Sequence, residues 1–156
     1  MLSKRRTFLQ AGMAAGTLAV AAGAGLLTPR DVLGAWPEQA FKAKKYPDAL
    51  QALAGTTEPT SSDAVKVKAP DIAENGAVVP VTVTTSIQEV ESISIIAANN
   101  PVPLVASYNL GEGAEGFVST RIKMGKSGDV IAVVKSGSKL YSANKGVKVT
   151  IGGCGG

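Results

Sequence analysis

Valine and isoleucine recur at every second position in three separate stretches, and no other feature restricts the fold of this chain as much. Val65 and Val67 alternate with Lys66 and Lys68; Val79, Val81 and Val83 alternate with Pro80, Thr82 and Thr84; Ile93 and Ile95 alternate with Ser92 and Ser94. Successive side chains of a strand point to opposite faces, so each stretch builds a ribbon with one apolar and one polar face. β-Branched residues also suit a pleated, half-buried surface. Further strands are predicted at Leu104 to Tyr108, Phe117 to Met124, Val130 to Lys135, Leu140 to Ala143 and Val147 to Ile151. Turn formers separate them: Asn75-Gly76, Asn99-Asn100-Pro101, Gly111-Glu112-Gly113, Lys126-Ser127-Gly128-Asp129, Ser136-Gly137-Ser138 and Asn144-Lys145-Gly146. About seven or eight short strands in one small domain predict a mainly β fold, an immunoglobulin-like antiparallel β-sandwich. A small barrel is the alternative, and periodicity alone does not separate the two.

A short helical segment precedes the strands. Trp36, Ala40, Phe41, Ala49, Leu50 and Leu53 recur at helical spacings, interrupted by Pro47, which predicts two short helices or one kinked helix. Gly55 is a natural stop. Trp36 and Phe41 are read as packing this segment onto the domain. The cluster Glu58-Pro59-Thr60-Ser61-Ser62 then breaks the helical pattern.

The first 35 residues read as an export signal. A polar stretch, Ser3 to Gln10, leads into an uncharged run from Ala11 to Leu27 made mostly of Ala, Gly and Leu. Arg5 and Arg6, followed by Phe8 and Leu9, resemble the bacterial twin-arginine signal, with Lys4 where Ser or Thr is usual. The alternative, a membrane anchor, is disfavoured because the run is short, rich in glycine and stopped by Pro29. Cleavage is expected after Ala35, with an earlier cut near Ala24 as the alternative. The expected organisation is therefore a signal over 1–35, the helical segment and sandwich over 36–151, and a flexible carrier arm over 152–156. Lys4, Arg5, Arg6 and Arg30 leave with Asp31, so the net charge falls from +4 to +1. No clustered basic footprint for nucleic acid remains, and the remaining length suits one domain.

The sequence has no histidine and one cysteine. That removes the commonest general base and metal ligand and rules out a Cys-His nucleophile or a Ser-His-Asp arrangement. No cofactor is expected. Glu89 and Glu91, two apart on a predicted strand, are read as a solvated edge. Asn75-Gly76 and Gly111-Glu112-Gly113 are read as turns, because neither sits between a strand and a helix as a phosphate loop does.

Cys154 differs from the rest of the chain in its setting, Gly152-Gly153-Cys154-Gly155-Gly156. A lone cysteine in an exported protein has no internal disulfide partner, and four neighbouring glycines supply no side chain to bury it. The glycines leave the sulfur unshielded and the backbone unrestricted. A thiol with pKa near ~8.5 is mostly protonated at neutral pH, so its activation is expected from a partner's active site.

The ending KVTIGGCGG resembles the carrier terminus of the SoxY family of sulfur-oxidising bacteria, and DIAENGAVVPVTV, NPVPLVASYNL, STRIKMGKSGDVIAVV and WPEQAFKAK resemble the body of that family. The terminal pentapeptide is the specific part. The resemblance implies a periplasmic protein, not an enzyme, that forms a heterodimer with SoxZ, both subunits immunoglobulin-like. It implies that Cys154 carries the cargo covalently and that Gly152, Gly153, Gly155 and Gly156 give the arm its freedom. It further implies transient partners: SoxAX, a haem protein that attaches thiosulfate oxidatively; SoxB, a manganese-dependent hydrolase that releases sulfate; and, where present, SoxCD, which oxidises the remaining sulfane sulfur.

Two other classes compete with a cysteine carrier. A β-grasp carrier would use the carboxylate of Gly155-Gly156 as a thiocarboxylate, but its activation needs ATP, which export makes hard to supply. An exported structural or adhesion sandwich would use Cys154 only to dimerise through a disulfide.

Overall fold

The computed structural model describes residues 37–150. Trp36 and the predicted signal lie outside the described residues. Helix α1 spans Glu38–Lys42 and α2 spans Tyr46–Ala54. The predicted interruption is present, but it falls at residues 43–45. Pro47 sits in the first turn of α2, where its missing N–H is no loss and its fixed φ suits helix entry. Gly55 ends α2 with φ of 73°, a left-handed conformation that glycine adopts without strain, and its N–H donates to the Gln51 carbonyl at 2.9 Å.

Nine strands follow among the described residues: β1 (Thr60–Ser61), β2 (Val65–Lys68), β3 (Ile72–Ala73), β4 (Val79–Thr85), β5 (Val90–Ala97), β6 (Leu104–Asn109), β7 (Phe117–Ile122), β8 (Gly128–Ser136) and β9 (Lys139–Val149). They form a large sheet in the order β1-β9-β8-β5-β6, with β3 also on β9, and a small sheet in the order β2-β4-β7. Two open sheets face each other, so the fold is the predicted sandwich with its helical preface and not the barrel. The long pairings are antiparallel, as expected. The two-residue strands β1 and β3 pair with β9 in parallel; β1 falls within the breaker cluster, and neither is long enough to show a period of two.

The alternation predicts the apolar face of these strands correctly, but the stretch around Ile93 and Ile95 is not half-buried, since Ser94 between them is buried too. Val65, Val79, Val81, Val83, Val118 and Ile122 of the small sheet pack against Ile93, Ile95, Val130, Ala132, Val134 and Val147 of the large one. The intervening Lys66, Lys68 and Thr84 are exposed. The central strands β5 and β8 are buried on both faces, because the helices cover the outside of the large sheet. There Ile96, Leu104 and Val133 meet Ala40, Ala49 and Leu50. Full burial of a side chain such as Leu50, which has no exposed surface, contributes roughly 1.5–3 kcal/mol. Ser94 is also buried in this layer, and its hydroxyl is bonded to that of Ser107 across the β5–β6 ladder at 2.9 Å.

Three sequence expectations are corrected. The predicted turn Lys126-Ser127-Gly128-Asp129 stops at Ser127, because Gly128 and Asp129 already pair with Val147 and Gly146. Asn144-Lys145-Gly146 is not a turn: β9 runs straight through it, with Asn144 opposite Ile131, Lys145 opposite Val130 and Gly146 opposite Asp129. Pairing to β8 along its whole length outweighs local turn propensity. Glu89 and Glu91 do not share a strand face either. Glu89 precedes β5 with φ of 52°, while Glu91 lies at a register shift between Val90 and Ser92 and pairs with Lys135 at 2.6 Å.

Candidate functional site at the root of the C-terminal arm

Cys154 and its flanks Gly152, Gly153, Gly155 and Gly156 lie outside the described residues, as do Arg5, Arg6, Phe8 and Leu9. What the fold does define is the point from which the C-terminal segment departs. β9 ends at Val149, beside the start of β8, since Gly128 is opposite Val147. The backbone at that point is tied on both sides.

On one side stands Ser127. The Val149 N–H donates to Ser127 Oγ at 2.9 Å, and that hydroxyl donates to the Val149 carbonyl at 3.3 Å, so one side chain imitates a bridge of the sheet. The loop that presents Ser127 is itself held: Asn99 Nδ2 donates to the Ser127 carbonyl at 2.8 Å, Asn100 Nδ2 donates to the Lys123 carbonyl at 2.7 Å, and the Gly125 N–H donates to Asn100 Oδ1 at 2.9 Å. Gly128 allows this approach, because a Cβ there would lie 2.6 Å from Asn99 Nδ2.

On the other side stands the segment 71–75. The Lys148 N–H donates to the Asp71 carbonyl at 2.9 Å and the Thr150 N–H to the Ala73 carbonyl at 3.1 Å. Thr150 Oγ1 adds contacts to the Ala73 and Glu74 carbonyls at 3.5 and 3.4 Å. The Asp71 carboxylate pairs with Lys145 of β9; the hydrogen bond from Lys145, and then its charge, hold the Asp71 carboxyl below the usual carboxylate range.

The opposite end of the sandwich is built differently. A cleft of about 950 Å³ opens there among Thr84, Ile87, Glu89, Leu110, Glu112 and Phe117. The antiparallel ladders place it far from the arm root, because Val90, which lines it, is opposite Ser136, at the other end of β8 from Gly128. Among the described residues, no group of three or more His, Cys, Asp or Glu side chains is placed to hold a metal ion. No described helix is long and apolar enough to cross a membrane.

Sequence reasoning did not single out Ser127, Asn99, Asn100, Asp71 or Thr150 as parts of the site. The two asparagines and Ser127 lie in stretches read as turns; Asn99, Asn100 and Ser127 are in loops, whereas Gly128 and Asp129 of the same predicted turn belong to β8. Nothing local signals that two of those turns converge on the end of β9.

The fold and this construction define a class: a small β-sandwich with a helical layer, whose last strand is anchored on both flanks and hands the chain on to a glycine-flanked terminal cysteine. The family model for the sulfur oxidation protein SoxY matches residues 50–154, more than half the chain and ending on Cys154. The solved structure of the sulfur carrier protein SoxY from Chlorobium limicola f thiosulfatophilum is 46% identical, with a TM-score of 0.61, covering 67% of this chain and 94% of that one. The chain belongs to the SoxY family of sulfur oxidation carriers. Two more distant likenesses carry no weight. They are a BSP domain of a biofilm associated protein (16% identity, TM-score 0.38, 65% of this chain and 17% of that one) and the reeler domain of human F-spondin (11% identity, TM-score 0.37, 58% and 93%). Among curated proteins, none matches.

Proposed function

We propose that this chain is a periplasmic sulfur carrier that holds thiosulfate-derived intermediates covalently on Cys154 and presents them to the other Sox proteins. The observation that carries this reading is the family match running through to Cys154, the sole cysteine, a few residues beyond an anchored strand end. In the loading step the Cys154 thiolate sulfur bonds to the outer sulfur of thiosulfate, and two electrons leave to the haem protein SoxAX, giving Cys–S–S–SO₃⁻. Water then cleaves the bond to the sulfonate sulfur on SoxB. Sulfate and two protons depart, and a persulfide, Cys–S–S⁻, remains for SoxCD or an equivalent oxidant. The carrier supplies no base, metal or cofactor to these steps; it supplies the attachment point and its delivery, and so acts as a substrate of its partners.

SoxZ is the proposed stable partner. Export through Arg5-Arg6 as a folded protein would let SoxZ cross with it without a signal of its own, and a separate signal on the SoxZ precursor would argue against joint export. Intact-mass spectrometry tests the central claim. After incubation with thiosulfate and SoxAX, Cys154 should gain a reductant-sensitive thiosulfonate, and no mass gain under any of these conditions sinks the proposal. A disulfide homodimer as the sole functional form would instead favour the structural sandwich. Dependence on Gly156 with indifference to Cys154→Ser would favour a thiocarboxylate.

A further inference from the structure

The segment 71–78 does more than tie down the arm. It presents Ile72 and Val78 to solvent with 57% and 52% of their surface exposed, while their neighbours Ala73 and Val79 are buried. Single exposed aliphatics are ordinary on a protein surface. These two are distinguished by where they stand. Ile72 is opposite Lys148 in the β3–β9 pairing, Ala73 and Glu74 hold Thr150, and the Val78 N–H closes the turn onto the Asn75 carbonyl at 3.3 Å. Ile72 on β3 and Val78 on the turn that follows therefore belong to the segment that holds the last anchored residue, Thr150.

The length of chain beyond that residue determines what must come close to it. Thr150 is held by hydrogen bonds to Ala73, and four steps separate it from Cys154, which reach at most about 14 Å at ~3.3–3.6 Å per residue. An enzyme that works on a sulfur so near its tether cannot keep the reacting atoms deep in a cleft and its rim away from the carrier. The mouth of its cleft has to rest against the surface around Thr150.

We infer that Ile72 and Val78 form the docking contact for the hydrolase that releases sulfate from the Cys154 adduct, seating against an apolar rim at the mouth of its catalytic cleft. The inference rests on the carrier reading above and adds the surface through which delivery is made. A contact of this kind holds the enzyme for one transfer and then lets go, since two aliphatic side chains bury only a small area compared with a standing interface. Discrimination among cargoes is left to the adduct itself.

The test uses the full chain, assembled with its subunit partner and loaded with thiosulfonate, and the hydrolase that releases sulfate as the probe enzyme. The double variant Ile72→Ser/Val78→Ser should raise KM about tenfold, the size expected when an interface anchor is truncated, with kcat and the rate of Cys154 alkylation by iodoacetamide unchanged. Phe117→Ser, which alters the third large exposed apolar side chain at the far end of the sandwich, should leave KM alone. The double variant overturns the inference if its KM is unchanged, if alkylation slows in parallel, or if it no longer assembles with the subunit partner, which would assign this face to the standing interface. An equal KM rise in Phe117→Ser overturns it as well. Should the double variant fold poorly, Val78→Ser alone is read by the same criteria, with a smaller rise expected. Failure of the carrier reading is separate: it shows as sulfate release that survives Cys154→Ser.

Discussion

The two ends of the sandwich differ in how their backbone is held. At the arm root, β9 is paired to β8 and to β3, Ser127 bridges Val149 with its side chain, and Thr150 is fixed to Ala73. At the other end, Glu89 sits at φ of 52° beside a register shift in β5, and the Gly111–Gly113 turn lines an open cleft. That end is bonded as well, with the Thr85 N–H donating to the Gly116 carbonyl at 2.8 Å and Ser136 Oγ to the Gln88 carbonyl at 2.9 Å, but the bonds there surround a cleft and not a departing strand end. For an enzyme the concave end would be the first place to look. For a carrier the logic reverses: the chemistry belongs to the partner's cleft, and the carrier has to define where its tether starts.

Four experiments can break or sharpen that contrast. The largest effect is expected from Cys154→Ser, which should abolish adduct formation in the mass assay, whereas Glu112→Gln/Glu115→Gln in the far cleft should leave loading and release unchanged. Any loss of turnover in the double variant would bring the cleft into the function and erase the contrast. Next is Gly128→Ala, whose added methyl collides with Asn99. Overpacking of this kind costs about 1–3 kcal/mol, read as a lowered denaturation midpoint, and should be accompanied by slower adduct turnover. An unchanged midpoint would show that the Asn99–Ser127 link is dispensable.

A smaller effect is expected from Ser127→Ala. Two hydrogen bonds at the strand end are lost, each contributing about 0.5–1.5 kcal/mol net when well made and less at an exposed site. Amide exchange of Val149 should accelerate several-fold while core amides such as Ile95 keep their protection; uniform acceleration would mean the change is global and the root is not a separate clamp. The smallest effect is acid-dependent. The carboxyls of Asp71 and Glu91 are held low by Lys145 and Lys135 respectively. Each therefore adds stability that is full above the ordinary carboxylate pKa of about 4 and is lost as pH falls through the lowered folded value. Both groups are solvent-exposed, so the loss is slight. The sharper readout is local: Lys145→Ala should remove the acid dependence of exchange at Lys148 and leave that near Glu91 intact.

Much of this architecture was legible in the chain. The alternation at 65–67 and 79–83 predicts which side chains are buried, because a strand facing water on one side must repeat with a period of two; at 93–95 it does not, since Ser94 is buried along with Ile93 and Ile95. Gly55 marks the helix end for an equally local reason. The misreadings share a cause. Pro47 was read as a break when it opens α2, and Asn144-Lys145-Gly146 as a turn when β8 holds it straight; in both cases a residue compatible with two local states takes the one its neighbours in space favour. Spacing alone puts Glu89 and Glu91 on one face, because a register shift cannot be seen before the partner strand is known.

By itself the sequence determined the β-rich class, the composition of the core, the absence of histidine chemistry and the singular position of Cys154, since each depends on residue type or spacing along one chain. Only the tertiary structure decided that Asn99, Ser127, Ala73 and Thr150 meet at the end of β9, that Ile72 is paired opposite Lys148 there, and that the cleft opens at the opposite end. Those facts depend on strand order and register, which arise from pairings between segments as distant as Thr60 and Tyr141 and leave no periodic trace in any one of them.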